Sequence, residues 1–377
     1  MSEAAKADTP FVTAAEEKVA AATQLQLTWW RFRKHRVAVI SGIVVIFFYL
    51  MALFADFLAV TGPHSTDAAR SYIPPQAIHW FDQDGSFKPH VYALKGRRDM
   101  RTFKLVYAPD PSDRRYLKLF AEGYSYTFLG LFETNRHLLG LDRGVPEDAL
   151  FLLGTDQLGR DVWSRLMLAT RTSLSIGLIG VALSLFLGIL LGGVSGLYGG
   201  VIDTAIQRLI EILRSIPTIP LWMGLAAALP SDWSVTQVYI AITVIISLIG
   251  WTELARVVRG RFLALREEDF VTAAELAGAS RLRIIFRHMV PSFLSHIIAA
   301  VSLALPAMII SETTLSFLGL GLRPPAISWG VLLQDAQNLQ AIAIAPWLLL
   351  VAVPVVIVIL AFNFLGDGLR DAADPYG

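Results

Sequence analysis

The sequence predicts an all-α polytopic membrane protein with six transmembrane helices and one small β-rich insert outside the bilayer. Three observations carry that expectation. Of 377 residues, 54% are hydrophobic and 17% are charged, and the mean hydropathy is +0.54; a soluble domain carries nearer a quarter of its residues as charges. Apolar stretches recur along the chain, each able to supply the roughly 20 helical residues that a hydrocarbon core demands. Arginines gather on the loops of one side, which is how membrane helices are oriented. The net charge of +1 gives no field that would attract nucleic acid. There is no cysteine, which excludes disulfides, thiolate metal sites and cysteine nucleophiles and leaves the redox compartment open.

Residues 1–36 read as an N-terminal tail. Met1 to Thr28 is Ala-rich and mixed in charge, a mobile tail or loose helix, and WWRFRKHR follows at Trp29 to Arg36. The apolar run of residues 37–60 exceeds the roughly 7–15 residues of a signal-peptide core, so it is an uncleaved first transmembrane helix. Trp29 and Trp30 belong at the interface, with the basic cluster inside. Residues 61–152 form the external insert, where alternation in RTFKLVY and GYSYTFLGLF predicts short strands. Residues 153–377 hold the other five spans: Thr172–Leu197, Ala205–Leu229 (interrupted by IPTIP), Val235–Leu254, Pro291–Leu318 with Pro306 inside, and Ile344–Leu365 with Pro354 inside. Proline is tolerated in such helices because neighbours re-satisfy the freed carbonyl. With both termini on the cytoplasmic side, Arg208, Arg214, Arg256, Arg259, Arg261, Arg266, Arg281, Arg283 and Arg287 all fall inside, and Arg323 is the exception outside.

Residues 267–290, with the following Pro291, depart from the apolar pattern: EEDFVTAAELAGASRLRIIFRHMVP is charged, Ala-rich and rich in arginine. Glu267, Glu268 and Asp269 suit a helix start. Gly278 suits its C-terminal cap and Ser280 the N-cap of a second helix. Val271, Ala274 and Gly278 fall on one face of small side chains, while Arg283 and Arg287 lie to another side. A small-residue face fits the groove of another protein; the plainer reading is a solvated connector whose arginines obey topology.

The same stretch resembles the signature loop of bacterial ABC importer permeases, E-A-A, three residues, G, nine residues, I-x-L-P. The matching positions are Thr272, Ala273 and Ala274, then Gly278, then His288, Met289, Val290 and Pro291, with the acid, the Ile and the Leu replaced. The dipeptide, oligopeptide and nickel branch of that family is the nearer match, through GAS, RIIFRH and P. Three further blocks resemble it: LGTDQLGRDVWSRLMLATRTSLSIG (Leu153–Gly177), GLYGGVIDTAIQRLIEILRSIPTIPL (Gly196–Leu221) and SETTLSFLGLGLRPPAISWGVLL (Ser311–Leu333). The insert, notably PPQAIHWF, resembles that of the larger microcin C and peptide uptake permeases. The resemblance implies a coupling helix seated in a cytoplasmic ATPase, with Val271, Thr272, Ala273, Ala274, Gly278, Ala279, Ser280 and Arg283 as the docking surface. It implies as partners a second homologous permease, two ATPase subunits that bind ATP and Mg, and a periplasmic substrate-binding protein. No cofactor belongs to this chain itself. It implies the bacterial inner membrane as the place and an oligopeptide as the solute, with oligosaccharides or opine-like solutes as alternatives.

Other constellations are weak. Gly319-Leu320-Gly321 has no preceding strand and no third glycine, so it is no dinucleotide loop, and G-x-x-x-x-G-K-[ST] occurs nowhere, so any ATP is bound by a partner. The histidines form no metal spacing, and His296 reads as a packed polar residue. No nucleophile–base pair suggests a catalytic site. Glu312 is the acid most clearly inside a span, hence a pathway candidate, against a structural hydrogen bond to the Ser328-Trp329-Gly330 loop. Arg208 and Arg214 stand three residues either side of Glu211, which reads as an inner-face salt bridge or an inner gate. Asp156 and Asp161 order the elbow before the second span. The rival class, an ion-coupled secondary transporter, would want ionisable groups near the bilayer midplane, and these helices hold almost none.

Overall fold

The computed structural model describes residues 24–98, 100, 105–142 and 149–373. The first 23 residues of the expected tail lie outside them, and Gln24–Lys34 forms helix α1. Helix α2 (Arg36–Leu53) starts at His35, whose Nδ1 accepts from the Ala38 amide, and one short turn, α3 (Ala55–Leu58), continues it. The insert then forms one antiparallel sheet in chain order: β1 (His79–Phe81), β2 (Phe87–Arg98), β3 (Leu105–Phe128) and β4 (Phe132–Leu141). Strand β3 serves two partners. Its first half pairs with β2, from Arg98↔Leu105 to His90↔Tyr116, and its second half with β4, from Leu117↔Leu141 to Phe128↔Phe132. Val91, Leu141 and Leu150 make the small core there. Buried His137 of β4 ties the sheet to α3, its ring nitrogens each 2.9 Å from a carbonyl, of Asp56 and of Tyr124.

The membrane part follows. Helix α4 (Val162–Tyr198) has 37 residues, and α7 (Val235–Leu265) has 31. At 1.5 Å per residue both outrun a roughly 30 Å hydrocarbon core, so both project beyond it. Helix α11 (Leu294–Phe317) runs through Pro306 without ending, and α14 (Ala352–Ala373) is entered by a 3₁₀ segment, Pro346–Val351. The third expected span is not one straight helix. It is α5 (Gly200–Ser215) and α6 (Thr218–Ala227), meeting at 87°. Pro217 is the cause: it pushes Ile216 into extended backbone (φ −90, ψ 130) and cannot donate to the preceding turn. The described residues thus hold five helices able to cross a membrane, or six counting the bent pair as one.

Helix α4 is the hub, packed along α7 and touching α2, α11 and the short α12 (Trp329–Asp335); α14 closes the bundle between α2 and α11. After α12 comes α13 (Leu339–Ile344). Three glycines at four-residue spacing let α4 approach α7. A Cβ on Gly188 would meet the Leu254 side chain at 2.9 Å, on Gly192 the Ala255 carbonyl oxygen at 2.5 Å, and on Gly196 the Phe262 Cβ at 2.6 Å. Small residues spaced in this way are how membrane helices reach close contact.

Candidate coupling surface and membrane cavity

Between α7 and α11 the chain folds α8 (Asp269–Leu276), α9 (Arg281–Arg283), a π-helical turn over Ile284–Met289, and α10 (Val290–Ser292). Helix α8 ends in a Schellman turn: Gly278 donates to the Glu275 carbonyl (2.9 Å) and Ala279 to the Ala274 carbonyl (3.0 Å). Gly278 has φ +77, which asks for glycine, and its α-carbon faces open space. Ser280 Oγ accepts from the Arg283 amide at 3.4 Å, the N-cap read from the sequence. Glu275 pairs with Arg281, whose guanidinium lies over the Tyr198 ring at the end of α4.

The structure splits the expected docking face. Val271 (0% exposed) and Ala274 (9%) turn inward, packed with Val258 and Phe262 of α7, Ile285 and Met289 of the π turn, and Phe293. Their side chains are not available to a partner. Thr272, Ala273, Gly278, Ser280 and Arg283 are exposed, and Ala279 is half-buried against the same core. Phe270 and Leu276, the latter 85% exposed, complete the outer surface and were not singled out in the sequence. The reason is the shortness of α8. Two turns of helix need an apolar anchor, and its inward stripe is consumed by that anchor. In the second helix Ile285 and Met289, four residues apart, face in, whereas Leu282 and Phe286 are exposed.

A cavity of about 490 Å³ lies between α4, α6, α7 and α11, walled by Ser184, Trp222, Gly250, Glu253, Ala304 and Met308 among others. Its walls are mostly small or apolar. Ser184, Thr218 and Ser311 add hydroxyls, and two other polar groups stand out. The Trp222 indole nitrogen is buried without a partner, and Glu253 pairs with Arg214, the last arginine of α5 beside the bend. This corrects the reading of Arg214. It crosses to α7 instead of folding back on Glu211, whose partner is Arg208 at 2.6 Å, and that pair is exposed. Glu312 is fully buried and lines no described cavity wall. Its carboxylate accepts from Ser173 Oγ (2.9 Å) and Ser316 Oγ (2.8 Å). Ser173 Oγ in turn accepts from the Trp329 amide (3.1 Å), which ties the acid to the Ser328–Gly330 loop. The side chain of His296 lies outside the described residues.

Sequence reading missed one cluster on the same side as α8. Arg259 of α7 holds Asp203 of α5 by two bonds, at 2.5 and 2.6 Å, and Ser195 of α4 donates to the same carboxylate. Nothing in the local sequence signals a pair 56 residues apart. At the other end of α4 the elbow is as expected in kind. Buried Asp156 accepts from Arg160 and Arg165, and Asp161 caps α4 through the Ser164 amide (2.8 Å). Burial pushes the Asp161 carboxyl up to about 6, against the pull of the Ser164 hydrogen bonds. Ser164 Oγ also accepts from the Val60 and Thr61 amides, locking the end of the first span to the second.

Residues 184–376, which contain the cavity walls on α7 and α11, the loop that carries α8 and the last span, match the family model for the binding-protein-dependent transport system inner membrane component. The chain belongs to that family. Residues 23–75 of the permease also match the N-terminal transmembrane domain of oligopeptide transport permease C. The permease is similar to the oligopeptide transport system permease protein OppC of Bacillus subtilis, 36% identical over 63% of this chain and 75% of that protein. It is similar to the OppC of Escherichia coli K12, 41% identical over 59% of this chain and 71% of that protein. Among solved structures it is similar to the inward-facing MetNI methionine ABC transporter, at 19% identity over 55% of this chain and 96% of that one, with a TM-score of 0.43. The permease is accordingly a multi-pass inner membrane transport subunit and not an enzyme.

Proposed function

We propose that the permease is one of two homologous transmembrane subunits of an ATP-driven importer, and that the solute is an oligopeptide delivered by a binding protein. The observation that carries the machine is the seating of α8. Its inner stripe shares one apolar core with α7 and the turn before α11, while Thr272, Ala273, Leu276 and Gly278 face outward. A push on the outer face therefore moves α7 and α11 together, and those two helices wall the cavity through Gly250, Glu253, Ala304 and Met308. ATP and Mg are held by the partner ATPases that supply the push. The Arg214–Glu253 pair, between the bent span and α7 at the cavity wall, is the gate; Glu211 is a surface partner of Arg208, and Glu312 is structural. The positive loops support a cytoplasmic side for α8 and both termini and a periplasmic face for the sheet.

The relatives named for oligopeptide transport support the choice of solute. The small and apolar walls read no particular solute, so selection falls to the binding protein. The test is uptake into proteoliposomes holding this chain, its co-purifying subunits and the matching binding protein, offered labelled oligopeptides and oligosaccharides. ATP-dependent peptide uptake is expected. Uptake of oligosaccharide alone would discard the solute, and uptake without ATP or partners would discard the importer.

A further inference from the structure

The tip of the β3–β4 hairpin has the wrong chemistry for water. It reads Phe128-Leu129-Gly130-Leu131-Phe132, where a hairpin turn in solvent favours Asn, Asp and Gly. Leu129 even takes φ +50, a left-handed conformation that costs a bulky residue, and Gly130 follows at φ +73. Leu131 is 77% exposed and Phe132 is 57% exposed. Strand β3 carries charges upstream at Arg114, Arg115 and Lys118, and exposed Leu119 and Phe120 lie between them and the tip.

The tip also packs beside the end of the first span. The Phe128 ring meets Phe54 at the end of the first span, at 6.0 Å between centroids. Leu129 and Gly130 roof a cavity of about 410 Å³ whose other walls include Tyr49 and Leu53 of α2 and Leu174 and Leu178 of α4. Arg171 and Asp56, an ion pair at 2.7 Å, stand in the same wall and mark the polar boundary. Leu178 is seven residues further along α4 than Arg171, roughly 10 Å deeper. Leu53 in this wall also belongs to the exposed apolar stripe of α2, with Ile43, Ile46 and Leu50.

We infer that the hairpin tip is embedded in the bilayer leaflet on the insert's side, with a lipid acyl chain filling the space beneath Leu129. Immersion is shallow, because an open strand edge cannot enter the hydrocarbon centre unpaired. Leu131 and Phe132 are the anchors, and the charged pair at Arg171 and Asp56 sits at headgroup level. The inference rests on the membrane spans and on neither the solute nor the ATPase partners.

The chain has no cysteine, so single-cysteine labelling needs no prior removal. Leu131→Cys and Phe132→Cys, each labelled with bimane in the full complex in proteoliposomes, are read with nitroxide-bearing lipids and with aqueous iodide. Lys118→Cys on the same strand is the water control. Strong quenching by nitroxide lipid and little by iodide is expected at both tip positions, with the reverse at 118. Iodide quenching at the tip overturns the inference. Protection from both quenchers also overturns it, since the tip is then covered by protein. Peptide uptake by the labelled variants is measured separately, so failure of the transport reading and failure of the lipid contact remain distinct.

Discussion

At the scale of single residues, Glu312 shows how a carboxylate can be buried when its oxygens are bonded. Removing a charge from water is expensive unless its oxygens are bonded. Here two hydroxyls do so, and one of them relays to the Trp329 amide while the Trp329 indole donates to Thr170 Oγ1. Three segments distant in sequence meet at this point. Glu312→Ala leaves those hydroxyls without an acceptor, and each such loss costs about 1–3 kcal/mol. The expected result is a clear fall in the thermal midpoint in detergent, with Glu312→Gln intermediate because one amide oxygen still accepts. Loss of uptake at an unchanged midpoint would instead place the acid in the pathway.

Among elements, the α4–α7 contact is the structural spine, and its glycines are not equivalent. At Gly192 the obstacle to a methyl group is the Ala255 carbonyl oxygen at 2.5 Å, whereas at Gly188 it is Leu254, whose Cβ and Cδ2 both stand at 2.9 Å and of which only the Cδ2 can rotate away. Overpacking typically costs about 1–3 kcal/mol. Gly192→Ala is expected near the top of that range and Gly188→Ala lower within it, measured as paired thermal midpoints. Equal effects would mean that the helices separate freely and that the spine is not rigid. Rigidity matters here because α7 carries both the anchor of α8 and the wall of the cavity.

For the whole molecule, motion applied at one end must arrive at the other. Gly278 holds the turn that sets the angle of α8, and open space around it makes any substitution cost conformational rather than steric. Ala in the left-handed region costs roughly 1–2 kcal/mol, and Asn costs less. Gly278→Ala is expected to leave membrane insertion and pairing with the second permease intact while lowering transport-coupled ATP hydrolysis, and Gly278→Asn is expected to retain more of it. Normal coupling in Gly278→Ala would remove this turn from the transmission path.

What the sequence determined by itself was local or compositional. The apolar runs set where the spans lie, the acid, Gly278 and Ser280 set where α8 begins and the next helix starts, and alternation set the sheet. These follow from hydropathy, caps and period, which act within a few residues. The 87° break was half legible, since IPTIP announces an interruption but not its angle. What only tertiary structure decided was the choice of partner. Arg214 took Glu253 over the nearer Glu211, Asp203 took Arg259, Glu312 took Ser173, and Val271 and Ala274 turned inward to leave Leu276 outside. The three glycines of α4 carried no stated meaning until α7 lay against them. Each of these is a contact between segments remote along the chain. Its geometry depends on how helices pack, and a linear pattern of residue types does not contain that.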